Sequence, residues 1–144
     1  METLTIKIWR GADTGSFQTF SVPKRENQTI LDVVTEIQQR QDQSISYRFA
    51  CRVGVCGSCA MTVNGKPRWT CRTHIGALKS SVITIEPLKN MPRIKDLVAD
   101  MSRFFDKWGQ AGNDFSSDKT RHDAPAQIDP ESKQRKAANA AIEC

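Results

Sequence analysis

Four of the five cysteines in this 144-residue chain lie between Cys51 and Cys71, spaced C-x4-C-x2-C-x11-C. No other feature constrains the fold as tightly, because thiolates gathered in one short loop need something to bind. The first three repeat the C-x4-C-x2-C run that ligates a [2Fe–2S] core. Gly54 and Gly57 lack side chains that would obstruct such a core. Both accept positive φ, so the loop can wrap the core and turn backbone N–H groups toward sulfur.

Between Cys59 and Cys71, Asn64-Gly65 separates two strand-like runs and predicts a short hairpin that returns Cys71 beside Cys59. The candidate ligands are therefore Cys51, Cys56, Cys59 and Cys71. Structural zinc usually takes two C-x2-C knuckles, and only Cys56 and Cys59 form one. Disulfides fit poorly with an odd cysteine count and an opening Met-Glu-Thr-Leu-Thr-Ile that carries no signal peptide. A Rieske centre needs two histidines near the cysteines, whereas His122 is far along in a polar segment. His74 reads as a loop or surface residue.

The rest of the first half reads as a small sheet with one helix. Leu4, Ile6 and Ile8 alternate with Thr5, Lys7 and Trp9, as in a half-buried strand. Turn residues Gly11–Ser16 follow, then a second strand from Phe17 to Val22, stopped by Pro23. Thr29 with Asp32 is a variant capping box, and Ile30, Val33, Val34 and Ile37 make one apolar helical face. Val82–Ile85 is a last short strand. This is the element order of a β-grasp fold. Trp69 and Cys71, two apart on a strand, are expected to share a face, with Trp69 packing to exclude water.

Beyond Met91 the pattern changes. Ile94, Leu97, Val98, Met101, Phe104, Phe105 and Trp108 recur at helical spacing between Pro92 and Gly109, predicting one helix over 91–108. Burial is worth about 1.5–3 kcal/mol for each large apolar side chain, so such a stripe calls for a partner surface. Residues 110–128 read as an irregular connection. Asp129-Pro130-Glu131 predicts a second helix, capped by Asp129 and running toward Cys144.

Charge is unevenly placed: residues 1–89 hold twelve Lys and Arg against seven Asp and Glu, while residues 90–144 hold nine of each. Arg48, Arg52, Lys66, Arg68 and Arg72 flank the thiolates, where cations favour an added electron and raise a reduction potential. A solvated basic face is the plain alternative. No nucleic-acid recognition motif accompanies the charge. The chain offers no Gly-rich phosphate loop, Ser-His-Asp set or flavin motif, hence no catalytic residue. No apolar run reaches the length of a membrane span.

The window Tyr47-Arg48-Phe49-Ala50-Cys51 through Cys71-Arg72-Thr73, with Gly-Val-Cys-Gly-Ser-Cys and Val-Asn-Gly-Lys-Pro-Arg inside it, resembles the iron–sulfur subunit of succinate dehydrogenase and fumarate reductase. The likeness runs from the first strand to the last residue, whereas simple plant-type ferredoxins place their last cysteine farther along. Some members carry Asp at the third ligand position; here it is Cys59. The resemblance implies an α+β chain: a β-grasp, [2Fe–2S] ferredoxin-type domain over 1–89, then the first helices of a helical ferredoxin domain over 90–144. It implies a [2Fe–2S] cluster on Cys51, Cys56, Cys59 and Cys71, and Cys144 as a possible ligand of a second cluster. Further [4Fe–4S] and [3Fe–4S] clusters are expected only if the chain continues past 144, as in the amino-terminal part of a longer subunit.

The implied role is electron transfer, one electron at a time, between the flavin of an FAD-containing flavoprotein subunit and the quinone side of a succinate:quinone oxidoreductase. Membrane anchor subunits are the other implied partners. The implied location is peripheral, on the cytoplasmic side of a bacterial inner membrane or the matrix side of a mitochondrial one. A free-standing [2Fe–2S] ferredoxin and a zinc-stapled interaction module are the alternatives. The apolar stretch after Met91 favours the first reading, since a free-standing ferredoxin has to hide it without a second domain.

Overall fold

Alternation in the first strands translates directly into a buried face. In the computed structural model, which describes residues 2–112, 119–125, 127 and 129–142, β1 (Thr3–Gly11) and β2 (Gly15–Pro23) form an antiparallel hairpin. Leu4, Ile6 and Ile8 of β1 and Phe20 and Val22 of β2 point into the core. Helix α1 (Ile30–Arg40) starts at a complete capping box. The Thr29 hydroxyl accepts from the Asp32 N–H at 3.2 Å, and the Asp32 carboxylate accepts from the Thr29 N–H at 2.9 Å. Ile30, Val33, Val34 and Ile37 are buried with the sheet residues in one core cluster.

β3 (Ala60–Val63) and β4 (Lys66–Trp69) pair about Asn64-Gly65, whose φ angles of 47° and 78° are those a tight two-residue turn requires. β5 (Val82–Glu86) enters between the two hairpins, parallel to β1 with Ile6 opposite Ile83 and antiparallel to β3. The strand order is β2-β1-β5-β3-β4. With α1 packed on it, this mixed sheet is the expected α+β, β-grasp arrangement.

Residues 91–108 depart from expectation. In place of one helix there is a small antiparallel hairpin, β6 (Arg93–Lys95) and β7 (Val98–Ala99), followed by α2 (Ser102–Gln110). The break is at Asp96, which adopts φ 50° and is 1% exposed. Its carboxylate accepts from the N–H groups of Gly11 and Ser46, both at 2.9 Å, and from Arg10 Nε at 3.1 Å. Three donors on one buried acid outweigh a local helical period. Leu97 then enters the core while Ile94 stays exposed. One compact unit, Met1–Arg103, accordingly includes the hairpin, which a 1–89 span leaves out; a second is Phe104–Cys144.

In the second unit, Phe104, Phe105 and Trp108 of α2 are about half exposed. Helix α3 spans Lys133–Ile142 and so begins later than the Asp129-Pro130 signal suggests. Asp129 instead closes a turn by accepting from the Glu131 N–H at 2.9 Å, and the Ser132 hydroxyl accepts from the Arg135 N–H at 3.2 Å as the cap. Cys144 lies outside the described residues. Among the described residues, no helix is long and apolar enough to cross a membrane.

Candidate iron–sulfur site

The loop from Cys51 to Cys59 is built around sulfur acceptors. Cys51 Sγ accepts from the N–H groups of Val53, Val55 and Cys56 at 3.4, 3.3 and 3.4 Å, and Cys56 Sγ accepts from the Ser58 N–H at 3.5 Å. Aiming successive N–H groups at one atom takes left-handed backbone, found here at Arg52, Gly54 and Gly57 with φ of 60°, 77° and 70°. The glycines were legible as such positions. Arg52 was not; its guanidinium lies 4.6 Å over the Phe49 ring, which in turn stacks on Tyr47.

The other two thiols sit deeper. Cys59 and Cys71 are buried together with Leu31 of α1, and Tyr47 packs against them. The hairpin that brings them together is pinned at its open end, where the Thr70 hydroxyl donates to the Cys59 carbonyl at 2.7 Å. The first turn of α1 holds the same segment: the Ile30 and Leu31 N–H groups, which have no partner within a helix, donate to the Thr73 and Thr70 carbonyls at 2.9 and 3.1 Å. β4 ends at Trp69, so Trp69 and Cys71 do not share a strand face; Trp69 is 37% exposed and Cys71 8%. His74 is exposed at the start of a 3-10 turn, Ile75–Leu78. Leu31, Tyr47 and Thr70 escaped the sequence reading as supports because their roles depend on a helix, a loop and a hairpin converging.

This geometry divides the thiols chemically. The Cys56, Val53 and Val55 N–H groups pull the Cys51 thiol down to about 6, and the Ser58 hydroxyl, with backbone donors, lowers Cys56. Burial, with the neighbouring Cys59, pushes the Cys71 thiol up, against a backbone bond from Gly54. Lowered values mark thiols readily converted to the thiolate that binds metal.

Around the thiols, Arg48 Nη1 donates to the Ala99 carbonyl at 3.0 Å. Arg68 and Arg72 flank Trp69 in an open concavity of about 400 Å³ completed by Ala60, Pro67 and Thr73. Lys66 is exposed on β4. The donor set fits an iron–sulfur core: four interacting thiols, Cys51 with Cys56 and Cys71 with both Cys59 and Cys51, with backbone N–H groups donating to the sulfurs of Cys51 and Cys56.

Comparison with known proteins agrees with this reading. Residues 5–106 match the family described as 2Fe-2S iron-sulfur cluster binding domain. The fumarate reductase iron-sulfur subunit of Mycobacterium tuberculosis is 36% identical over 122 residues, 85% of this chain and 48% of that one. The mitochondrial succinate dehydrogenase [ubiquinone] iron-sulfur subunit 1 of Oryza sativa subsp. japonica is 40% identical over 114 residues, 79% of this chain and 39% of that one. A chain of the Mycobacterium smegmatis Sdh1 complex in the apo form superposes with a TM-score of 0.79 at 26% identity, covering 99% of this chain and 59% of that one. The chain thus spans about half or less of the length of these two curated relatives. With residues 5–106 matched, more than half of its length, the chain belongs to the 2Fe-2S iron-sulfur cluster binding domain family.

Proposed function

We propose that Cys51, Cys56, Cys59 and Cys71 hold the [2Fe–2S] cluster and that the chain is the electron-transfer part of a succinate dehydrogenase or fumarate reductase. The supporting observation is the convergence of three backbone N–H groups on Cys51 Sγ, with Cys59 and Cys71 buried together against Leu31. When bound, such a cluster takes up and passes on one electron at a time. The chain's own residues set the conditions. N–H groups at the sulfurs and Arg52 within the loop stabilise added negative charge. Leu31 and Tyr47 keep water from Cys59 and Cys71.

In this reading the electron donor is the flavin of a flavoprotein subunit and the acceptor lies on the quinone side, with membrane anchor subunits completing the complex. It also takes the chain as a ferredoxin-type domain, expected over 1–89 and here extended through the β6–β7 hairpin that Asp96 ties to Gly11 and Ser46, followed by the start of a helical domain, a division supported by the exposed aromatic side chains of α2. The chain, reconstituted without oxygen, should bind two iron and two sulfide and give an S = 1/2 signal on reduction, as a four-thiolate [2Fe–2S] site does. Replacing any of the four cysteines with serine should alter that signal. A spectroscopically silent preparation that keeps stoichiometric zinc overturns the ligand assignment. Failure of succinate-reduced flavoprotein to reduce a loaded chain overturns only the partner.

A further inference from the structure

We infer that Asp96, outside the cysteine loop, is a positioning residue for it: the β6–β7 hairpin it anchors braces the segment Ser46–Phe49 that delivers Cys51. The inference concerns this chain's own residues and rests on the cysteine assignment proposed above. Three contacts carry it. Asp96 Oδ2 accepts from the Ser46 N–H at 2.9 Å, the Ser46 carbonyl accepts from the Leu97 N–H at 3.2 Å, and Arg48 reaches the Ala99 carbonyl at 3.0 Å. Both sides of the Ser46 backbone are thereby held by the hairpin. Beyond that point the segment is fixed by the Tyr47 hydroxyl on Thr35 Oγ1 at 3.1 Å and by the Tyr47–Phe49 stack, which leads to Arg52 and the cysteine loop.

The hairpin is itself anchored to the sheet. Asp96 Oδ1 receives Gly11 N–H and Arg10 Nε, the Asp96 N–H donates to the Gly11 carbonyl at 2.7 Å, and Arg93 lies 4.5 Å over the Trp9 ring. Only an ionised carboxylate suits this place, because both oxygens face donors and neither has a proton to give. In Asp96→Asn one side of the amide must present N–H to N–H. Either Ser46 or the Gly11–Arg10 side then loses its acceptor, and a buried donor is left unpaired. The side chain thus connects the end of β1 to the approach to Cys51, and groups that orient ligands from a distance commonly change metal affinity about 10–100-fold when removed.

The test uses the full chain with Asp96→Asn, and Val22→Ala on β2, at the far sheet edge from β4, as a control for general loss of stability. In the apo chain, amide exchange at Ser46–Phe49 should speed up in Asp96→Asn relative to Val22→Ala once both are corrected for urea stability. In the reconstituted chain, chelator should remove the cluster about tenfold faster than from the control, with a shifted midpoint potential. Matching exchange, cluster loss and potential in the two variants overturn the inference and leave Asp96 a contributor to stability alone. If Asp96→Asn does not fold, Arg48→Met removes the Ala99 contact while keeping the apolar stem. Faster apo exchange at Ser46–Phe49 in that variant supports the brace, and wild-type exchange overturns it.

Discussion

Replacing Gly54 with alanine tests whether the cysteine loop is held by backbone conformation alone or also by what it presses against. Gly54 has φ 77°, and an added Cβ meets Arg72 Cγ at 2.8 Å, Arg72 Cδ at 3.2 Å and the Trp69 ring at 3.4 Å. Gly57, with φ 70°, has nothing within 4 Å of the same position. Both substitutions cost about 1–2 kcal/mol for left-handed backbone on a residue with a Cβ. Gly54→Ala adds displacement of Arg72 from its rotamer, about 0.5–1.5 kcal/mol. The extra term, roughly 1 kcal/mol, is about fivefold in the fraction of open loop.

The assay is the rate at which chelator strips the cluster from the reconstituted chain. Gly54→Ala should lose it about fivefold faster than Gly57→Ala. In the double variant Gly54→Ala/Arg72→Ala, measured against Arg72→Ala alone, the effect should fall to that of Gly57→Ala, because the colliding side chain is gone. Equal rates for the two single variants, or no relief in the double one, refute the packing argument and leave only the φ term.

Thr29→Ala removes the cap of α1 and should lower stability by about 1 kcal/mol, read as a shifted urea midpoint with unchanged slope; no shift would show the box to be idle. Arg52→Glu should lower the midpoint potential and slow reduction by flavoprotein, and an unchanged titration makes Arg52 part of an ordinary solvated face. Burial of Asp96 works against its charged form, but the N–H groups of Gly11 and Ser46 and the Arg10 guanidinium outweigh it and hold the carboxyl below its ordinary value. Its contribution is therefore complete above the unfolded value near pH 4 and is lost as pH falls through the lower folded value. Asp96→Asn should flatten that part of an acid-unfolding curve; a curve parallel to wild type assigns the loss to other carboxylates.

Local signals proved reliable where local physics decides. The capping box at Thr29, the Asn64-Gly65 turn and the alternation of β1 each depend on residues a few positions apart. The helix expected over 91–108 failed for the opposite reason. Ile94, Leu97, Val98 and Met101 keep a helical period, but Asp96 binds Gly11, Ser46 and Arg10, and nothing in the neighbouring residues announces those partners. Thr70 belongs with Asp96 among the residues that chain proximity hides, as its partners come from α1 and from the other end of the hairpin. At Ser132 the cap was written locally, but Asp129-Pro130 presented a rival start.

The insertion of β5 between β1 and β3 also orders events in time. On a growing chain, β1 and β2 can zip together early, since a short turn joins them. The hairpin carrying Cys59 and Cys71 has no such independence: β3 finds its second neighbour only in β5, and an isolated two-stranded ribbon is marginal in water. Pairing β5 beside β1 joins segments from opposite ends of the domain, the kind of distant contact that slows folding. Until Val82–Glu86 is in place, the β3–β4 hairpin that leads from Cys59 to Cys71 has no third strand to hold it where Leu31 and Tyr47 cover these thiols. The hairpin between these two cysteines is therefore fixed late, and iron delivered to a nascent chain before β5 pairs meets Cys59 and Cys71 on an unfinished sheet.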